Sequence, residues 1–304
     1  MKKEDQDIVL QTLKVTENSQ LLAFLVNQNV KKNRSRIKSL LSHKQVKVNN
    51  KISTQFDLEL KPGDVVTIHK ESHKHDLKNL EGVTIVYEDE DLLVVHKEPK
   101  LLSIATDREK RETAYSIISQ YLKTSDPEAR VFVLHRLDRD TSGLMLFAKS
   151  TQIQENMQRR WDDIILVRSY IAVVEGRPIP PTGTIMSWLT EDKNLVMHSS
   201  QTDNGGQRAI TNYETVKTSR KFTMLRLNLE TGRKNQIRVH MQSFGHPIVG
   251  DKKYGSHINP IKRMALHAHE LKFIHPTTGE TLEFKSPIPE KIMMLVETKT
   301  TMRS

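Results

Sequence analysis

Nine residues, His135-Arg136-Leu137-Asp138-Arg139-Asp140-Thr141-Ser142-Gly143, stand between two apolar runs. Val131-Phe132-Val133-Leu134 leads in, and Leu144-Met145-Leu146-Phe147-Ala148 leads out. Apolar runs of this length, bounded by polar turn residues, read as buried strands. The stretch therefore sets two strands and puts arginines, two carboxylates and a Thr-Ser-Gly turn on the loop between them. Loops carried on a rigid scaffold are where catalytic groups tend to sit. The plain alternative is a surface turn with a charge pair, which does not need so dense a polar cluster.

The rest of the chain supplies a scaffold of the α+β class. Residues 1–16 read as a loose lead-in, and 20–26 as a first short helix. Asn33 or Ser35 can cap a second helix that buries Ile37, Leu40 and Leu41 at 3- to 4-residue spacing. Strands follow at 45–48 and 65–68, with turns at Asn49-Asn50 and Lys61-Pro62-Gly63-Asp64. His69 to Gly82 is polar and aperiodic, and reads as a linker. Strands resume at 83–87 and 92–95. A helix over 113–123, capped by Thr113, places Ala114, Ile117, Ile118, Tyr121 and Leu122 on one face. Another spans 151–161. Strands then dominate, at 164–174, 183–189, 208–216, 222–230, 265–274 and 280–285. The expected whole is a small α+β module over 17–70, a linker over 71–82, and a larger domain over 83–295. That domain is built on a mixed, mostly antiparallel sheet with flanking helices.

Charge narrows the partners. The net charge is +10 over 304 residues, which points to a polyanion, nucleic acid before membrane. No apolar stretch approaches the roughly 20 residues of a membrane span. There is no cysteine, so disulfides and thiolate catalysis are excluded. A cytoplasmic protein is expected. Between residues 31 and 51 stand eight Lys or Arg and no Asp or Glu. A solvated helix face accounts for some of these; RNA contact accounts better for a window of one sign. The segment Asn33-Arg34-Ser35-Arg36-Ile37, with Leu40-Leu41, Val46-Lys47-Val48-Asn49-Asn50-Lys51 and Leu60-Lys61-Pro62-Gly63-Asp64, resembles the S-four RNA-binding module. That resemblance implies that Lys32, Arg34, Arg36, Lys38 and Lys47 face RNA phosphates.

Four further segments share the character of the central loop. They are Arg168-Ser169-Tyr170 in a strand, Thr231-Gly232-Arg233-Lys234-Asn235-Gln236-Ile237-Arg238-Val239-His240 opening a helix, the basic loop Gly250-Asp251-Lys252-Lys253-Tyr254-Gly255, and the strand Met264 to Leu271. Backbone N–H groups and positive charge at a helix start suit phosphate. Taken with the central loop, these segments resemble the RluA-type family of RNA pseudouridine synthases from about residue 84 to 290. Departures are His96-Lys97-Glu98-Pro99-Lys100 and Lys234-Asn235, where the family often has Asn-Lys-Pro-x-Gly and x-His.

The resemblance implies that uridine in structured RNA is isomerised to its C-glycoside, with ribosomal RNA favoured and transfer RNA open. Asp138 matches the catalytic carboxylate, which either adds to the ribose or removes a ribose proton; Asp140 is its rival by spacing alone. Arg136 matches the residue that occupies the space left by the flipped base. Tyr170 matches the tyrosine that packs on the uracil, with help in removing the carbon 5 proton as a further role. Arg238 matches a basic residue paired with the carboxylate, and a neighbouring cation favours the ionised form the role demands. Arg233 and Asn235 support the loop or meet phosphate, and Leu271 is either a pocket wall or plain core. No metal or organic cofactor is expected, and a monomer is. Three rival readings stand beside this one. Asp138-Arg139-Asp140 could be the DxD of a glycosyltransferase. His267 and His269, with His240 or His246, could hold a metal. The chain could also be a non-catalytic RNA-binding or ribosome-assembly factor.

Overall fold

The computed structural model describes residues 9–30, 34–42, 45–69, 78–106, 112–124 and 126–297. The side chains of Ser35, Arg36, Ser39, Ser42 and Lys78 lie outside that description. The apolar run that leaves the polar loop becomes the strand Ser142–Ala148, buried at every residue. Successive side chains of a strand point to opposite faces. Met145 and Phe147 accordingly enter one core, and Leu144, Leu146 and Ala148 enter another. The strand Leu92–Lys97 divides in the same way, Leu93 and Val95 to one side and Leu92 and Val94 to the other. The two strands pair antiparallel from Gly143↔Lys97 to Ala148↔Leu92.

On its other edge the 142–148 strand meets Leu266–Ile274. This contact is parallel, Ser142↔His267 and Gly143↔Ala268, whereas the other strand pairings described are antiparallel. Gly143 makes the contact possible. Its φ is +116°, and a Cβ there would stand 2.2 Å from the Ala268 carbonyl oxygen. The sheet continues through Ile165–Glu175, Phe222–Leu229, Gln207–Thr218, Thr182–Glu191 and Met197–Ser200 on one side. On the other it runs through Leu92–Lys97, Val83–Glu88 and Lys78–Leu80. With the side strands Phe132–Val133 and Thr281–Lys285 it has twelve strands, mixed and mostly antiparallel as expected.

Helices cover both faces. Ala114–Lys123 starts on a reciprocal cap between Thr113 and Ser116 and buries Ala114, Ile118 and Leu122 in the first core. Thr151–Arg159 starts on the Ser150 hydroxyl and buries Ile153 and Met157 in the second. The helix expected over 151–161 breaks at Arg160, which leaves the helical region (φ −111°, ψ 27°), and a short turn Trp161–Ile164 follows.

At the N-terminal end a separate four-stranded sheet runs Val9–Lys14, Val65–His69, Val46–Val48, Lys51–Ile52. The helices Leu21–Asn27 and Arg34–Ser42 close its core, with Ile37, Leu40 and Leu41 buried as the spacing predicts. Asn49 and Asn50 take φ of 48° and 65° in the turn. The Asn49 amide also ties the turn to Asp64 and to the Val65 N–H.

Three local expectations change. Residues 9–14, read as a loose lead-in, are an edge strand on Val65–His69; it is mostly exposed, so no apolar period marked it. Residues 78–80, inside the expected linker, pair with 83–85. The run 131–134 contributes only Phe132 and Val133 to a ladder, opposite Ala148 and Phe147. Among the described residues no helix is long and apolar enough to cross a membrane.

Candidate active site

The polar loop joins the short strand Phe132–Val133 to Ser142–Ala148, and buried side chains pin it from below. The His135 Nε2 accepts the Leu146 N–H at 3.1 Å, which ties the loop's first residue to the strand after it. Burial, helped by the Arg168 charge, pushes His135 down to about 3, so the ring is neutral and keeps its acceptor. Ser103 grips Leu137 on both sides: its hydroxyl donates to the Leu137 carbonyl at 2.6 Å and accepts the Leu137 N–H at 3.1 Å. Lys97 is wholly buried and donates to the carbonyls of Glu98, Leu101 and Arg139. Burial lowers this ammonium to about 7, against the pull of Asp140 and Asp138. The Arg139 carbonyl also accepts the Lys100 N–H. The backbone on either side of Asp138 is thereby fixed, which is what holding a reacting group in place requires.

The partner of Asp138 comes from a different part of the chain. Thr231 to Arg233 turn out of the sheet, and Asn235, at φ 53°, starts the helix Gln236–Ser243. Gln236, buried, bonds Ile210, Thr211, Thr231 and the Arg233 N–H, so the turn and the helix start are one unit. That unit aims Arg238. Its Nη1 donates to Asp138 Oδ2 at 3.2 Å and to Asn235 Oδ1 at 3.0 Å. Its Nε and Nη2 form a two-point contact with Asp251 at 2.7 and 2.9 Å. The Tyr254 ring lies against the guanidinium, 4.8 Å from its carbon to the ring centre. Burial works against the Arg238 charge, but Asp251 and Asp138 outweigh it and raise its pKa. Asp251 is almost sealed, at 2 % side-chain exposure; Asp138 is open at 28 %. One carboxylate is structural by position, and the other faces solvent with a fixed cation beside it.

These groups line one open cleft of about 1180 Å³. Arg136 and Asp138 reach it from the loop, Arg168 and Tyr170 from the strand Ile165–Glu175, and Arg233, Asn235 and Arg238 from the helix start. Arg136 is exposed at the cleft. Tyr170 is 8 % exposed, and burial, with the Asp138 charge, raises its phenol. The side chain is therefore O–H at neutral pH. Leu266 lines the cleft, whereas Leu271 packs in the core on the opposite face with Leu144 and Leu146.

The N-terminal cations fall elsewhere. Arg34 is exposed, Lys38 stands 3.9 Å from Glu90 and over the Phe56 ring, and Lys47 is half-buried on its strand. Lys32 and the Arg36 side chain lie outside the described residues. Among the described residues no three His, Cys, Asp or Glu are grouped to hold a metal. His267, His269 and His240 bond Ser142, the Ser286 carbonyl, and Ser187 with Thr211 instead. The sequence reading missed Lys97, Ser103 and Asp251 as supports. Lys97 had a signal, a lone lysine ending an apolar strand, but its acceptors are backbone carbonyls that no residue pattern marks.

Comparison with known proteins follows the same residues. A family model described as RNA pseudouridylate synthase matches residues 91–243. An uncharacterized RNA pseudouridine synthase of Bacillus subtilis, YjbO, is 36% identical over 213 residues, 70% of this chain and 75% of that one. Ribosomal large subunit pseudouridine synthase D of Vibrio cholerae is 32% identical over 282 residues, 86% of this chain and 85% of that one. The solved structure of human RNA pseudouridylate synthase domain containing 4 superposes with a TM-score of 0.57 at 22% identity, over 69% of this chain and 90% of that chain. That last likeness concerns the fold.

Proposed function

Because this chain belongs to the RNA pseudouridylate synthase family, and so is an isomerase that acts on RNA, we propose that Asp138 is its catalytic carboxylate and structured ribosomal RNA its substrate. The observation that carries the assignment is the open Asp138 carboxylate in the cleft, 3.2 Å from an Arg238 that Asp251 locks in place. Asp140, its rival, lines no part of the cleft. Ribosomal RNA is favoured by the Vibrio relative's name and by the basic balance of the chain.

In the reaction the bond from uracil N1 to ribose C1′ breaks. The freed uracil turns while held, a bond from C5 to C1′ forms, the C5 proton leaves, and N1, released from the ribose, takes up a proton. The atoms of the product are those of the substrate. Asp138 either adds to C1′ or takes a proton from C2′; both need an anionic oxygen beside the ribose, and Arg238 supplies the opposing charge. A uridine inside a duplex cannot reach Asp138 and has to leave the stack. Arg136, exposed at the cleft, takes the vacated space. Tyr170, held as a phenol, is a packing surface for the uracil rather than a phenolate base. Arg233, held by the Arg208 carbonyl, supports the loop, and Asn235 orients Arg238. The N-terminal module docks the RNA through Lys32, Arg34, Arg36, Lys38 and Lys47, and the domain of the twelve-stranded sheet, which takes in residues 78–80, catalyses. The enzyme is read as a monomer working in the cytoplasm.

The test is pseudouridine mapping at single-nucleotide resolution in total RNA. Wild-type cells are compared with cells lacking this gene and with those cells given Asp138→Asn. Loss of the same position in both altered strains, with RNA binding by purified Asp138→Asn intact, is the expected result. A mark restored by Asp138→Asn would refute the assignment of the carboxylate. A lost mark outside ribosomal RNA would refute the substrate.

A further inference from the structure

Among the described residues, seven cations and three carboxylates line the cleft. Five of the cations are committed. Arg238 pairs with Asp138 and Asp251, and Lys234 pairs with Glu191. Lys253 donates to the Leu195 carbonyl, Arg233 to the Arg208 carbonyl and Arg139 to the Lys100 carbonyl. Arg136 and Arg168 remain, with no hydrogen bond or ion pair to a described residue. Arg136 is exposed and already hydrated; Arg168 is half-buried.

Arg168 also has two close neighbours. Its guanidinium carbon stands 5.4 Å from the centre of the Trp161 ring. On another side is Gly232, where a Cβ would come 2.6 Å from Arg168 Nη1. Any other residue at 232 would displace the guanidinium. Two segments far apart in sequence thus flank a planar cation that lies beside Tyr170 and pairs with no anion among the described residues. A partly desolvated charge without a partner is costly unless a ligand supplies one. Arginine presents donors in a rigid fork that matches a phosphate.

We propose that Arg168 is a phosphate anchor, receiving beside Trp161 and Gly232 a backbone phosphate next to the flipped uridine. The anchor rests on the reading of the cleft as the uridine site. It holds the nucleotide by its backbone, so that the ribose lies over Asp138 whichever bases flank it. Arg168 in this role is a positioning residue and takes no part in bond making.

The probe is dodecauridylate, in which every register offers the cleft a uridine. Its affinity is measured by fluorescence anisotropy over a salt series, with Asp138→Asn as the parent so that no chemistry intervenes. One phosphate contact on a single strand contributes about 0.7 to the slope of log affinity against log salt. Arg168→Gln is expected to lower the slope by about that amount and to weaken binding roughly tenfold, the effect of one charge-assisted contact. Arg168→Lys is expected to keep the slope, since its charge remains. An unchanged slope in Arg168→Gln overturns the anchor. So does an equal loss of slope in Arg168→Lys, which would place the effect in packing against Trp161. Tritium release by the wild-type protein from carbon-5-labelled RNA of cells lacking the gene is measured in parallel. Its absence would refute the uridine chemistry, while the salt slope, which needs no turnover, still decides Arg168.

Discussion

Arg238 carries two loads that a pair of substitutions separates. Its guanidinium is 13 % exposed and satisfies Asp251, at 2 %, through two short hydrogen bonds, and Asp138, at 28 %, through one. Arg238→Gln strands the Asp251 carboxylate without a cation. Removing one partner of a buried pair costs about 3–5 kcal/mol. In a catalytic domain of this size that is a fall in melting temperature on the order of 10 °C. The same change removes the charge opposite Asp138, and loss of one such electrostatic contact costs turnover about 100- to 1000-fold. Adding Asp251→Asn removes the stranded anion. The double variant is expected to recover most of the lost stability and none of the lost turnover, because the couplings within one network do not add. Thermal unfolding by circular dichroism reads the first, and tritium release from carbon-5-labelled RNA reads the second. Turnover restored together with stability would show that Arg238 only holds the fold. An unaltered melt in Arg238→Gln would refute the buried pair itself.

Lys97→Met removes three hydrogen bonds from the carbonyls of Glu98, Leu101 and Arg139 but ends the burial of a charge. The opposing contributions leave a net loss of about 2 kcal/mol, with turnover down about tenfold and KM little changed; wild-type single-turnover rates would refute its hold on the loop. Asp89 is buried, which raises its pKa, but His275, Tyr87 and the Leu92 N–H prevail and hold it below the usual carboxylate range. Its stabilisation is complete above the unfolded value near pH 4 and is lost as pH falls through the folded one. Asp89→Asn should therefore lower the melting temperature at neutral pH much more than in acid, and equal losses at both would refute the linkage. Replacing Arg34, Lys38 and Lys47 by glutamine should weaken RNA binding and flatten its salt dependence; an unchanged slope would remove the N-terminal module from the interface.

The polar loop was legible because its residues are local in sequence. His135 to Gly143 carries its polar residues in one run between apolar strands, and the unbroken apolar run of 144–148 matches the two cores it enters. Helix starts were legible for the same reason, since Thr113 and Ser150 act within three residues. The edge strands at 9–14 and 78–80 were not, because an exposed edge needs no apolar period and is defined by the neighbour it pairs with. Arg168 was visible as a basic residue two before Tyr170. That it lacks an anion is a property of the finished fold, as is the Asp251 lock on Arg238.

The parallel contact between Ser142–Gly143 and His267–Ala268 also has a consequence in time. The loop that carries Asp138 is complete once its hairpin has been synthesised, but its neighbour in the sheet lies 125 residues later, and Arg238 lies 100 residues later. At about 5–20 residues per second, a nascent chain spends on the order of 10 s with the carboxylate made and its cation absent. The N-terminal module closes its core and sheet from residues 9–69 and is finished long before. A ribosome-bound intermediate thus has a folded basic face and no assembled cleft. The cleft, which Leu266 lines, is completed only when the strand from Leu266 closes against Gly143.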